Sequence, residues 1–446
     1  MVKVITYGTY DLLHYGHIRL LERAKALGDY LIVAVTADDF DKTRGKINVQ
    51  QSLMERIEAV RATGLADEII VEEYEGQKID DIRRYDIDIF TVGSDWIGKF
   101  DYLKEYCKVV YLERTEGISS SDLRSKAREL KIGLVGDSVV LEKFERECHY
   151  VNGIRVVGLC SNNVEVFKDK RDTFSILTND YDKLLGDVDA VYIVSHPFKH
   201  YEQIKKALES GKHVLCESPI TVSVEQYKEL KQIAIQKRCI LMESLKTAYA
   251  VAYHRLLLLI KTGKIGDVIS VDATCTSIRE DDFEDADQRR NKWNSICAWG
   301  PTAMLPIFQI LGTQYLSKKI ISRIIDEVNM FDSFTKIDFS FPNAVASLKV
   351  GKGVKSEGEL IVSGTKGYLF VPAPWWKTDY FEIRYENPAE NKRYFYQLDG
   401  EGIRYEIVAF VRAVENGKIS GGIDSFISLK IIDIIESYFS KHIKKI

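Results

Sequence analysis

The chain has 446 residues, of which 45% are hydrophobic and 29% charged, with a formal net charge of -4. At about 150 residues per domain that length makes room for about three structural units, and the charge balance excludes a general nucleic-acid binder. No apolar run approaches the ~20 residues that span a bilayer, and the Met-Val-Lys-Val-Ile start carries no signal-peptide pattern, so a cytoplasmic protein is expected. The cysteines number 7 and include no Cys-x-x-Cys pair, which fits a reduced compartment with neither a disulfide framework nor a thiolate metal site.

In chain order, Lys3 to Gly8 reads as a strand and Gly16 to Leu27 as a helix. Tyr30 to Val35 is a continuous apolar run, as in a strand buried on both faces. Helix Met54 to Thr63, strand Glu68 to Val71, helix Lys78 to Tyr85 and strands Ile87 to Val92 and Val109 to Leu112 follow. This alternation predicts a parallel sheet with right-handed crossovers. A helix from Ser121 to Leu130 leads into strand Lys131 to Gly136, which opens a second alternation through Arg155 to Cys160, Val188 to Val194, His213 to Cys216 and Cys239 to Met242. Beyond Gly266 the strands lengthen (Val268 to Thr276, Ile337 to Val350, Glu359 to Ser363, Tyr380 to Tyr385) and mostly lack intervening helices, which predicts an antiparallel sheet. The charge-rich segment Arg279 to Asn294 reads as an exposed loop. The expected fold is α/β: a Rossmann-like domain at 1–130, a second at 131–250, and an α+β open-sheet domain at 251–446.

The most informative run is Gly8-Thr-Tyr-Asp-Leu-Leu-His14-Tyr-Gly-His17. A strand ends at Gly8 and a helix begins near Gly16, so backbone N–H groups and a helix N-terminus form a natural anion site. His14 and His17, three residues apart, share one helical face. Two imidazoles there can donate to phosphate oxygens, and in-line nucleotidyl transfer needs that kind of charge stabilisation and positioning. Gly16 allows the backbone close to phosphate. A second motif, Arg114-Thr-Glu-Gly-Ile-Ser-Ser-Ser121, also leaves a strand and enters a helix, and offers a guanidinium fork and capping hydroxyls.

With both motifs in register, segment 1–130 resembles the glycerol-3-phosphate cytidylyltransferases of the HxGH nucleotidyltransferase superfamily. Further matches are Arg-Ala-Lys-Ala-Leu-Gly-Asp-Tyr-Leu-Ile-Val-Ala and Asp-Trp-Ile-Gly-Lys-Phe-Asp. The resemblance implies that CTP and a polyol phosphate give a CDP-polyol and pyrophosphate, with Mg²⁺ carried on the CTP phosphates rather than by protein side chains. It assigns catalysis to His14, His17, Lys46 and Arg114. It assigns nucleotide binding to Gly8, Thr9, Tyr10, Asp11, Gly16, Asp95, Trp96, Arg114, Ser119 and Ser120. Asp38, Arg44 and Arg61 are the candidate acceptor-binding residues. CTP rather than ATP comes from the resemblance alone. The chain departs from the family at Gly64, where an arginine is usual and where Arg61, one turn earlier, offers a replacement, and at Ser94, where the family has an acid.

Segment 131–446 resembles the Gfo/Idh/MocA oxidoreductases, through Val191-Tyr-Ile-Val-Ser-His-Pro-Phe-Lys-His200, Gly211-Lys-His-Val-Leu-Cys-Glu-Ser-Pro219 and Gly263-Lys-Ile-Gly-Asp-Val. The resemblance implies an NAD(P) site, but the residues expected of one are altered. The glycine fingerprint is reduced to Gly136-Asp-Ser138-Val-Val-Leu141, and Ser161-Asn-Asn163 stands where an acidic residue would meet the ribose. Glu217-Ser218-Pro219 lacks the family's lysine, and Ala298-Trp-Gly300-Pro-Thr302 lacks its general acid. Gly136, Ser138, Glu217, Ser218 and Pro219 thus mark a degenerate dinucleotide site, with His196, His200, Lys246 and Tyr249 as polar residues near it.

The leading reading is a cytidylyltransferase that makes a precursor of a cell-wall polymer or capsule. Its degenerate oxidoreductase-like half serves for assembly, regulation or substrate presentation, with a homo-oligomer built on the C-terminal sheet. The alternative is a bifunctional enzyme whose C-terminal half is an active NAD(P)-dependent reductase supplying the polyol phosphate.

Overall fold

The computed structural model describes residues 1–37, 49, 51, 53–73, 76–113, 129–151, 153–164, 174–278, 289, 291–396, 398–419 and 422–446, with the side chains of Asp95 and Asp399 excepted. The chain divides into two compact units, Met1–Glu129 and Leu130–Ile446.

In the first unit five strands form one sheet. They are β1 (Lys3–Gly8), β2 (Tyr30–Thr36), β3 (Glu68–Glu72), β4 (Ile89–Gly93) and β5 (Lys108–Leu112), in the order β3-β2-β1-β4-β5. All neighbours run parallel. Side chains alternate between faces along a strand, so Val4, Leu31, Val33 and Val35 join one core while Ile5, Ile32 and Ala34 join the other. Helices α1 (Tyr15–Lys25) and α2 (Leu53–Ala62) bury Leu21, Ala24, Ile57 and Val60 in the first core. Helix α3 (Gln77–Tyr85) buries Ile82 in the second. The strand order reverses between β1 and β4, so the crevice at their C-terminal ends is where an open parallel sheet takes its ligand.

The second unit holds two sheets. The first comprises β6 (Leu130–Gly136), β7 (Ile154–Cys160), β8 (Ile176–Thr178), β9 (Ala190–Val194), β10 (His213–Glu217) and β11 (Leu241–Ser244) in the order β11-β10-β9-β6-β7-β8. That is the dinucleotide-fold order, with its switch point between β6 and β9. Helices α4 (Val140–Cys148), α5 (Tyr181–Asp187), α6 (Pro197–Glu209) and α7 (Val224–Lys237) connect its strands.

The second sheet begins with β12 (Val268–Ile278), after helix α8 (Val251–Lys261). It continues through β13 (Ser317–Asp326), β14 (Phe331–Ser340), β15 (Val345–Gly351), β16 (Gly353–Val354), β17 (Leu360–Gly364), β18 (Tyr368–Val371), β19 (Tyr380–Arg384) and β20 (Lys392–Phe395), and ends with β21 (Lys444–Lys445). It is mixed rather than antiparallel throughout. Between β12 and β15 the chain makes helix α9 (Ser295–Leu311) and the β13–β14 hairpin, so β15 returns beside β12 in the same direction, pairing Ser270 with Val345. The end of the segment read as an exposed loop is also buried. Asn294 accepts from the Cys297 N–H at the start of α9 and donates to the Met330 carbonyl, because the first turn of that helix needs a cap. Helices α10 (Ile403–Asn416) and α11 (Ser425–Phe439) pack against α4 and α7 respectively. Among the described residues, no helix is long and apolar enough to cross a membrane.

Candidate functional site

The turn between β1 and α1 lies at the switch-point end of the first sheet. Gly8 must be glycine for a local reason: a Cβ there would lie 2.9 Å from Cζ of Tyr10. The Tyr10 ring folds back under the strand end and is 1% exposed. Tyr10 and Leu12 have positive φ, 55° and 47°, in the left-handed region that side chains other than glycine rarely adopt. Such a turn persists only if its surroundings hold it, and three groups do. Arg56 of α2 is fully buried. It donates through Nη1 to the Thr9 carbonyl at 2.7 Å and the Thr36 carbonyl at 2.9 Å, and through Nε to the Gln51 carbonyl at 3.1 Å. Asp11 accepts from the Gln51 N–H at 3.0 Å, and the Gln51 side-chain carbonyl accepts from the Leu12 N–H at 2.8 Å.

Held in this way, the turn delivers two imidazoles. His14 is the N-cap of α1, and its Nδ1 accepts from the Gly16 N–H at 3.1 Å. With Nδ1 accepting, a neutral ring carries its proton on Nε2, which is then its donor nitrogen. His17 stacks on His14 with ring centroids 3.9 Å apart and 22° between planes, and meets the Tyr10 ring edge-on at 5.6 Å. Two stacked imidazoles repel if both are charged, so an anion that accepts from both relieves the repulsion. The first turn of α1 has no acidic residue to offset the positive end of the helix dipole.

Beneath the same strand ends runs a buried polar layer that motif reading did not include. Thr36 donates to Glu72 at 2.9 Å, and Glu72 forms a buried ion pair with Lys78. Lys78 also lies 4.4 Å from the Tyr7 ring centre, and the Tyr7 hydroxyl donates to Asp81 at 2.8 Å. Of the other sequence candidates, Thr9 is buried and contributes its carbonyl to the Arg56 clamp, while Trp96 packs on Phe100 in the short turn after β4. Arg61 is exposed and pairs with Glu58 one turn away, and the arginine of this helix that reaches the turn is Arg56. Asp38, Arg44, Lys46, Arg114, Ser119, Ser120 and the Asp95 side chain lie outside the described residues.

In the second unit the dinucleotide fold is present, and its first loop is tied to the neighbouring strand end. Gly136 approaches β9 so closely that a Cβ would lie 2.3 Å from the Val194 carbonyl oxygen. Asp137 accepts from the Ser161 hydroxyl and from the Asn163 N–H at 3.3 Å, tying the first loop to the end of β7 with a fixed carboxylate. Ser138 accepts from the Val140 N–H at 3.2 Å, and Leu141 is buried in α4. Asp137 thereby sets a carboxylate beside the glycine turn, the place where a dinucleotide fold presents N–H groups to a pyrophosphate.

At the position of the family's lysine, Ser218 donates to buried Glu243, to which Ser428 also donates. Tyr249 is likewise turned inward, to the Glu243 backbone carbonyl at 3.1 Å. His200 is fully buried between the Pro219 and Ser195 carbonyls at 2.8 and 2.9 Å, and burial pushes its pKa down to about 4 despite those acceptors. His196 caps α6. Ser244 Oγ lies 3.0 Å from Glu217 and 2.9 Å from Glu406. A hydroxyl has one proton to donate, so one of the two carboxyls must be protonated and donate to it. Glu406 is the better holder, because burial and then the Glu217 charge push it well above the usual carboxylate range.

Comparison with known proteins agrees with this division. A cytidylyltransferase-like family model matches residues 5–126, and the model of an oxidoreductase family with an NAD-binding Rossmann fold matches residues 130–245. A glycerol-3-phosphate cytidylyltransferase of Bacillus spizizenii is 51% identical over 130 residues, which are 29% of this chain and 100% of that protein. One from Staphylococcus aureus is 48% identical, over 28% of this chain and 95% of that protein. Among solved structures, KijD10, a 3-ketoreductase from Actinomadura kijaniata in complex with NADP and TDP-benzene, superposes with a TM-score of 0.62. It is 19% identical over 71% of this chain and 99% of that one, a likeness of fold. Through its N-terminal region the chain belongs to the glycerol-3-phosphate cytidylyltransferase family, and the region that follows matches the model of an oxidoreductase family with an NAD-binding Rossmann fold.

Proposed function

We propose that the first unit couples CTP to sn-glycerol 3-phosphate, or a closely related polyol phosphate, in the cytoplasm. A phosphate oxygen of the acceptor attacks the α-phosphorus of CTP, the bond from that phosphorus to the bridging oxygen breaks, and pyrophosphate leaves. The observation that carries this reading is the stacked His14–His17 pair at the open N-terminus of α1. Charge develops on the α-phosphoryl oxygens and on the departing pyrophosphate, and the imidazoles and helix N–H groups are donors set in place for it. Among the described residues no group of three or more His, Cys, Asp or Glu side chains is arranged to hold a metal ion. Mg²⁺ would arrive on the nucleotide phosphates and offset their charge there. The reading is tested by offering CTP, ATP and UTP against glycerol, ribitol, erythritol and ethanolamine phosphates and following pyrophosphate. Release is expected with CTP and a polyol phosphate.

For the second unit we propose an assembly role without hydride transfer. Asp137 beside the glycine turn and the inward-turned Ser218 support it. The C-terminal sheet, which leaves Ile269, Val345 and Phe395 exposed, is the proposed homo-oligomer interface. NADH and NADPH are expected to bind more weakly than about 1 mM by calorimetry, in a protein that sediments as a dimer or tetramer. Micromolar binding with substrate-dependent oxidation would favour the bifunctional reading, and a sedimenting monomer would remove the interface.

A further inference from the structure

Glu401 receives three lysines from three separate elements of the second unit. Lys143 of α4 lies 3.1 Å from its Oε2. Lys246, in the short turn after β11, lies 3.4 Å from the same oxygen. Lys377, in the turn before β19, lies 2.9 Å from Oε1. The two lysine-bearing turns are fixed to each other, since Thr247 donates to the Trp376 carbonyl at 3.0 Å. The four side chains are between 27% and 41% exposed, so the cluster opens to solvent. Hydrogen bonds from Lys377 and Lys143 and the charge of Lys246 hold the Glu401 carboxyl down to about 2, so it stays ionised at neutral pH.

The stoichiometry suits a different occupant. Three ammonium groups converge on one carboxylate, and a carboxylate has two oxygens, so Lys143 and Lys246 must share one. A phosphate monoester offers three terminal oxygens and close to two negative charges at neutral pH, one oxygen for each lysine. Glu401 is also presented by an unusual backbone: Gly400, Glu401 and Gly402 follow one another at φ 55°, 55° and 89°. For the glutamate that conformation is strained, and release of the carboxylate would let the backbone relax.

We propose that Lys143, Lys246 and Lys377 form a binding site for the phosphate group of a small phosphorylated ligand, with Glu401 as a built-in anion that the ligand displaces. The site belongs to the second unit alone and does not depend on the proposed transfer reaction. The test uses calorimetry with inorganic phosphate on the full chain, in a His14→Ala/His17→Ala background that weakens phosphate binding at the first unit. Glu401→Gln removes the internal competitor and is expected to tighten phosphate binding by about tenfold or more. Adding Lys246→Ala and Lys377→Ala to that variant is expected to abolish the gain, with the circular dichroism spectrum unchanged. Phosphate affinity that is the same with and without Glu401→Gln, or a gain that survives loss of the two lysines, would overturn the proposal.

Discussion

His17→Ala is expected to lower kcat for CTP turnover by roughly 10²-fold or more, because a preorganised donor aimed at developing charge contributes about 3–4 kcal/mol to the transition state. The ring stacks on His14 at 3.9 Å and touches Tyr10 edge-on, so its removal also frees His14 to move. The fold should survive, since the α1 cap is His14 and the core of this helix is Leu21 and Ala24. Steady-state kinetics at saturating CTP, with a thermal melt as control, measure this. A variant that turns over at the wild-type rate would place the imidazole outside the reaction zone.

Arg56→Ala is expected to cost about 3–5 kcal/mol in the stability of the first unit, lowering its melting temperature by roughly 10–20 °C. Three backbone carbonyls, those of Thr9, Thr36 and Gln51, lose their donor at once, and two of those bonds are buried. Arg56→Lys separates positioning from stability. A lysine keeps the charge but cannot span three acceptors with a planar fork, so the protein should remain folded at low temperature. The Tyr10–Leu12 turn then relaxes and kcat is expected to fall roughly tenfold or more, with a smaller change in KM. A lysine variant with full kcat would show that the turn holds its shape without the clamp.

These two residues mark what could be read from sequence. The His14–His17 pair is local: a strand end, a glycine and a helix start fall within ten residues, so their spacing fixes their common face. Arg56 acts across the fold on carbonyls up to 47 residues away, and no linear motif contains it. One signal was there: Arg56 stands four residues before Val60 and beside Ile57, on the buried face of α2, where a charge needs partners. Arg61 is five residues from Arg56, which turns it to the solvent side. In the second unit the loss of the lysine at Ser218 was legible. Where the hydroxyl would turn was not, because Glu243 and Ser428 come from distant segments. The same holds for Glu401 and its lysines, which come together only through folding. The parallel partnership of β12 and β15 was hidden for a related reason: strand periodicity reports burial, and it says nothing about which neighbour a strand takes after a long crossover.

Nucleotidyl transfer is expected to centre on the turn from Gly8 to His17. Incubating the full chain with CTP, Mg²⁺ and sn-glycerol 3-phosphate, and measuring pyrophosphate together with the mass of the nucleotide product, tests it most directly. One pyrophosphate is expected for each CDP-glycerol formed, and both should form roughly 10²-fold more slowly in the His17→Ala variant. Absence of pyrophosphate release with glycerol 3-phosphate and with every other polyol phosphate offered would contradict it.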